Sequence, residues 1–152
     1  MKKTLIVGLI ACIILIGSSL ALRQEDFTEL VKTGSLEEVK KAIEAGANVN
    51  ARDENGMTPL MHAAGANQNP EVIKVLLEAG AEVNARDEDG WTPLMQAACF
   101  NQNPEVIKVL LEAGADGKIR CKEGKTAFDY AKENKHLRNT EVYWLLKDAQ
   151  YL

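Results

Sequence analysis

His62, His136, Cys99 and Cys121 are the side chains here best suited to nucleophilic, acid–base or metal-binding work. A cysteine and a histidine can act as nucleophile and base, but a third residue must then orient the histidine, and none is spaced to do so. A structural zinc site needs close ligand pairs, which Cys99, Cys121 and His62 do not form. The run Asp87-Glu88-Asp89-Gly90 lacks the later glutamate of a calcium loop and reads as turn chemistry. No glycine-rich phosphate loop is present. His62 has acidic neighbours in sequence, which read as solvated loop charges, so it is expected to be an ordinary surface histidine. The expectation is a non-enzymatic protein with no cofactor and no metal. A metal or redox protein using Cys99 and Cys121 is the least favoured alternative; it would need bound metal or a disulfide in the purified chain.

The bulk numbers bound the class. A chain of 152 residues, 46% hydrophobic and 26% charged, has the make-up of one folded domain or a short row of repeats. A formal charge of −4 gives no basic footprint for nucleic acid and no polybasic membrane patch. Aromatic residues are only 5% of the chain, so any clustering of them is informative.

The first 21 residues stand apart. Lys2 and Lys3 precede an uncharged stretch from Thr4 to Leu22, most apolar from Leu5 to Ile16, and Ser19-Leu20-Ala21 fits a small-x-small cleavage site. This is the layout of a secretory signal peptide, and its short length and paired lysines resemble bacterial export signals. Cleavage after Ala21 would leave 16 basic against 22 acidic residues, a charge of −6. It would send the protein to the periplasm or the exterior. An uncleaved anchor is the alternative, since 19 uncharged residues just reach across a bilayer. Lipid attachment at Cys12 ranks last, because Ile13 to Ile16 continue the apolar run. After cleavage only Cys99 and Cys121 remain, one late in a helix and one in a loop, and both are expected to be free thiols.

Sliding the chain along itself exposes a repeat. Asn50 to Val83 and Asn84 to Gly117 align without gaps, and 27 of 34 positions are identical. Asn55-Gly56 and Asp89-Gly90 are tight-turn dipeptides. Thr58-Pro59 and Thr92-Pro93 then open a helix, with threonine as N-cap and proline at the first helical position. Asn69-Pro70-Glu71 and Asn103-Pro104-Glu105 open a second, which Gly80 and Gly114 stop. Helices of about ten residues are marginal alone in water. Stripes of Leu60, Ala63 and Ala64 on the first helix and Ile73, Leu76 and Leu77 on the second become a core once neighbouring copies stack.

The segments "GMTPLMHAA…VIKVLLEAGAEVNA" and "GWTPLMQAA…VIKVLLEAGADG" closely resemble ankyrin repeats. The flanks resemble degenerate copies: residues 25 to 50 an N-terminal cap with Leu36, Val39 and Ile43 as core, and residues 123 to 152 a C-terminal cap. The resemblance implies an all-α solenoid of about four helix–turn–helix repeats joined by short β-turn or hairpin loops. The expected division is 1–21 export signal or anchor, 22–49 cap, 50–83 and 84–117 central repeats, and 118–152 cap. Two departures stand out. Met61 and Met95 replace the family's usual histidine, which removes an expected hydrogen bond, and one extra residue lengthens the turn between the helices.

The two central copies act as an internal control. Their seven differences are Asn55/Asp89, Met57/Trp91, His62/Gln96, Gly65/Cys99, Ala66/Phe100, Glu82/Asp116 and Val83/Gly117. Gln96, Cys99 and Phe100 share one helix face, nearly opposite the stripe Leu94, Ala97 and Ala98. In ankyrin proteins the turn tips and first-helix faces line a concave partner-binding groove. By position, the resemblance implies one row of Glu29, His62, Gln96 and Tyr130, and another of Lys32, Gly65, Cys99 and Glu133. A third row is Thr33, Ala66, Phe100 and Asn134, with Met57, Trp91 and Lys125 at the turns. Aromatic and methionine side chains are enriched in interface cores, and Gly65 and Ala66 beside them leave space for a shallow pocket.

The candidate partner-binding set is therefore Asn55, Met57, His62, Asp89, Trp91, Gln96, Cys99, Phe100, Lys125 and Tyr130. A simpler reading stands beside it: Trp91 folds over its own helix or onto Met57, and Phe100 shields the lengthened turn. The expected function is binding of another protein, by a monomer, in an inhibitory, immunity-type or assembly role. A membrane-tethered scaffold is the alternative.

Overall fold

A computed structural model describes residues 24–151. The export or anchor segment therefore lies outside the described residues. Within them the chain forms eight α-helices and no strand. These are α1 (Gln24–Thr33), α2 (Leu36–Glu44), α3 (Pro59–Ala66), α4 (Pro70–Glu78), α5 (Pro93–Phe100), α6 (Pro104–Glu112), α7 (Ala127–Ala131) and α8 (Glu141–Ala149). They stack in two rows, with α1, α3, α5 and α7 inside and α2, α4, α6 and α8 outside, each helix packed on the next of its row. This is an all-helical repeat solenoid.

The helix boundaries follow the punctuation in the sequence. Thr58 and Thr92 accept the backbone N–H of Met61 and Met95 at 3.4 and 3.3 Å, ahead of Pro59 and Pro93. Asn69 and Asn103 accept the N–H of Glu71 and Glu105, both at 3.0 Å. Gly80 and Gly114 end the outer helices with φ of 91° and 89°. There the N–H of Ala81 reaches Leu76 O at 3.0 Å and that of Gly80 reaches Leu77 O at 3.0 Å, a Schellman motif.

One core runs the length of the stack. The predicted stripe residues Leu60, Ala63, Ala64, Ile73 and Leu76 are fully buried, and Leu77 packs partly against them. In the N-terminal repeat Val39 is buried as expected, while Leu36 and Ile43 are only partly covered; Phe27, Leu30 and Val31 of α1 supply the rest. Met61 and Met95 are buried too. The hydrogen bond expected to be lost at Met61 is partly kept, since the N–H of Thr58 donates to Met61 Sδ at 3.5 Å. At the equivalent place in the last repeat Asp129 accepts from both the N–H and the hydroxyl of Thr126, at 2.9 and 3.0 Å.

The extra residue in the inter-helix turn has a structural role. Asn67 and Asn101 are buried at the ends of α3 and α5, and their amide groups reach back to the preceding repeat. Asn67 Nδ2 donates to Val31 O at 2.9 Å, and Asn101 Nδ2 donates to Ala64 O and Asn67 O at 2.8 and 2.9 Å. Asn134 continues this ladder, donating to Ala98 O and Asn101 O at 3.1 and 2.9 Å. That corrects the third row drawn from sequence. Asn134 is buried and belongs with Asn67 and Asn101, not with Thr33, Ala66 and Phe100, because α7 is shorter and the spacing drops by one.

Two more ladders tie the repeats together. Arg52 Nη1 donates to Gly56 O and Arg86 O at 2.8 and 2.6 Å, and Arg86 Nη2 donates to Arg120 O at 2.8 Å. On the outer side Asn50 Nδ2 donates to Gly80 O and Asn84 Nδ2 to Gly114 O, at 2.8 and 3.1 Å. The hairpin tips also bond directly: the N–H of Glu88 reaches Asn55 O at 3.0 Å, and that of Lys122 reaches Asp89 O at 2.9 Å.

One of the seven differences is explained by the end of the stack. A Cβ on Gly117 would stand 2.7 Å from Ala149 Cβ and 2.9 Å from the Ala149 backbone. The C-terminal end of α8 lies on this glycine, and the valine of the earlier copy would push it away.

Candidate interaction groove

The inner helices and the hairpin tips form the two walls of a groove. Met57, Trp91 and Lys125 sit at its corner, where each hairpin enters an inner helix. The hairpins are set by Asp53 and Asp87, whose carboxylates accept the N–H of Met57 and Trp91 at 2.9 and 2.8 Å. Gly56 and Gly90 turn the tips with φ of 76° and 78°.

Trp91 is the centre of an aromatic stack. Its ring lies 4.2 Å from that of Tyr130, tilted by 37°, and 6.0 Å from that of Phe100, at 16° to it. Lys125 Nζ sits 5.3 Å from the centre of the Tyr130 ring, over its face. Trp91 thus covers its own helix, as the simpler reading proposed, and also bridges to the next repeat, which that reading did not contain. Phe100 remains 59% exposed at the open end of the stack.

Beside Phe100 the groove dips into an open depression of about 300 Å³, lined by Lys32, Met57, Met61, His62, Gly65, Ala66, Gln96 and Phe100. Gly65 and Ala66 leave this space: where Phe100 projects from the second copy, the first presents a methyl group. A second hollow of about 490 Å³ lies towards the N-terminal end, between α1 and the first hairpin tip.

The ten residues nominated from the sequence divide into four groups. Asn55, Asp89 and Lys125 are exposed at the tips; Met57, His62, Trp91 and Cys99 are half-buried along the wall; Phe100 is exposed. Gln96 and Tyr130 were placed on a face pointing away from the core, and here they are buried, 9% and 7% exposed. Gln96 packs beside Gly65, and Tyr130 lies under Trp91. They support the groove floor rather than present open side chains.

The groups with chemical potential are held by neighbours. His62 is not the ordinary surface histidine expected from sequence: it is half-buried on α3, and its Nε2 donates to Asp53 of the hairpin at 2.8 Å, so this acidic neighbour is a bonded partner rather than a solvated loop charge. Burial alone would push the Asp53 carboxyl up, but the His62 bond and the amides of Met57 and Asn55 outweigh it and hold it below the usual range. Cys99 and Cys121 are free thiols. Burial, and then Glu133, push the Cys99 thiol up, which disfavours the reactive thiolate. Cys121 is buried, with Sγ 3.2 Å from the Tyr130 hydroxyl. Its burial acts upward, but that hydroxyl and the amides of Lys125 and Glu123 bring it below the usual thiol range. Tyr130 is pushed well above the usual phenol range by burial and by Cys121. Among the described residues no group of three or more His, Cys, Asp and Glu side chains is arranged to hold a metal.

A row of helix–turn–helix repeats with hairpin tips and a long open groove defines a solenoid scaffold, a class whose extended surfaces serve binding. The family profile described as ankyrin repeats (3 copies) matches residues 27–121 and again 64–151, so the chain belongs to the ankyrin repeat family. Comparison with curated proteins returned no match. Ankyrin repeats are generally protein–protein interaction modules, and the family is typically non-enzymatic.

Proposed function

We propose that this is an exported protein that binds a partner protein through the groove between its inner helices and hairpin tips, with Phe100 and Trp91 at the centre of the contact. The observation that carries the reading is Phe100, a large apolar side chain 59% exposed beside an apolar depression. It is backed by a stacked Trp91 that holds little conformational freedom to lose on binding. Aromatic side chains in such settings are typical binding hot spots. Inhibitory, immunity-type or assembly roles all fit a scaffold of this size.

The test is partner capture by the protein with Phe100→Glu, beside Trp144→Ala on the opposite-end helix α8 as a surface control. Loss of the same captured protein only with Phe100→Glu supports the groove; equal capture by both variants sinks it. Export is tested by intact mass of the chain recovered from its producing cell. A start at Leu22 supports cleavage after Ala21. A retained Met1 supports the tethered reading, which the 19 uncharged residues of Thr4 to Leu22 favour. Among the described residues no helix is long and apolar enough to cross a membrane.

A further inference from the structure

The groove is uneven in charge along its length, and that unevenness selects a partner chemistry. The hollow at its N-terminal end is lined by Glu25, Glu29, Asp53 and Glu54, against two cations, Lys32 and Arg52. Arg52 is turned into the hairpins, where its guanidinium is held by Gly56 O and Arg86 O. Lys32 is shared with Glu29 at 3.4 Å, and Asp53 is held by His62. Among the described residues Glu25 and Glu54 have no ion-pair partner. At the other end of the groove the cations Lys125 and Lys132 stand among the acids, Lys125 on Glu123 at 3.2 Å and Lys132 on Asp129 at 2.7 Å, with Glu133 exposed beside them.

The acidic hollow and the apolar depression are adjacent, since Lys32 lines both. A ligand lying along the groove therefore meets an apolar floor of Met57, Met61 and Ala66 beside Phe100, then uncompensated carboxylates. We infer that the partner presents an extended segment in which an aliphatic or aromatic side chain fills the depression, next to a lysine or arginine that reaches Glu25 and Glu54. This rests on the groove reading proposed above and adds the partner's chemistry and its direction. The cation lies towards α1, and the apolar anchor towards α5. Apolar contact supplies most of the affinity, whereas the carboxylates supply register, association rate and discrimination against acidic segments.

The experiment is selection from a phage-displayed library of random peptides against the full chain as its producing cell delivers it, followed by direct binding of the enriched peptides. The enriched set is expected to carry net positive charge around an apolar residue. Binding is expected to weaken about three- to thirtyfold in Glu25→Gln/Glu54→Gln at low salt, a difference that shrinks as salt rises. Phe100→Ala should weaken it at every salt concentration. Enriched peptides that are neutral or acidic, or that bind the double glutamine variant as tightly as the original, overturn the inference. If such peptides still need Phe100, the groove reading survives; if Phe100→Ala leaves all binding unchanged, the groove reading falls as well.

Discussion

Trp91, on the hairpin of one repeat, lies 4.2 Å from the ring of Tyr130, on the inner helix of the next. The contact crosses a repeat boundary. It makes the larger side chain at this position part of the stack as well as part of the groove wall, whereas Phe100 is left largely in solvent. The two aromatics that distinguish the second central copy from the first therefore have separable roles.

The first prediction follows from that separation. Trp91→Ala should cost roughly 1–3 kcal/mol in urea unfolding, from lost burial and lost ring contact. Phe100→Ala should stay within about 0.5 kcal/mol of the parent, as exposed substitutions do. A double-mutant cycle of Trp91 with Tyr130 should return a coupling of about 0.5–1.5 kcal/mol. A coupling of zero would mean that the 4.2 Å stack does not persist in solution.

Asn101 is the polar residue whose loss should hurt most. It is fully buried and donates to Ala64 O and Asn67 O across the repeat boundary. Asn101→Ala takes the shared donor from both carbonyls, and should cost roughly 2–4 kcal/mol in chemical denaturation. Gln102→Ala, one residue on and exposed, should be silent.

Gly117→Val restores the residue of the other central copy and should still destabilise. The new side chain meets the backbone of Ala149 at less than contact distance, so α8 must move off the stack. Faster amide exchange confined to α8, with a loss of about 1–3 kcal/mol, is the expected result. Val83→Gly, at the matching site, should leave exchange in α8 unchanged.

Acid should loosen the last repeat through Asp129. The Lys132 ammonium and the amide of Thr126 hold its carboxyl down at about 2, against burial. Because the folded value lies below the ordinary carboxylate value of about 3.9, this stabilisation is complete above that value. It is lost as the pH falls towards 2. Lys132 is half exposed and solvent-screened, so the contribution is about 1–2 kcal/mol at most. Asp129→Asn should flatten the acid limb of a thermal-stability profile between pH 4 and 2, relative to the parent.

Local punctuation was legible in the sequence, because each signal acts within a few residues. Threonine and asparagine caps, prolines at the first helical turn and stop glycines all hold where the residues placed them. What was missed acts between repeats. Asn67 and Asn101 lie in the lengthened turn, and their signal is a polar residue kept in both copies and recurring at Asn134. Arg52, Arg86 and Arg120 recur just as regularly and were not singled out. The depth of Gln96 and Tyr130 had no local signature, since a helix face is buried or open according to the neighbouring repeat that covers it. Their helix alone looked exposed.

The asparagine ladder has a direction. In every rung the donor belongs to the later repeat and the acceptors to the earlier one. A chain growing from its N-terminus therefore always carries a leading edge with two unanswered carbonyls, closed only when the following repeat arrives. The arginine ladder runs the opposite way, with the donor in the earlier repeat and the acceptor in the later one, so the two boundaries it crosses are closed by bonds given from both sides. A chain shortened at either end therefore exposes donors and acceptors together at the new edge, and a terminal repeat is completed only by what covers it.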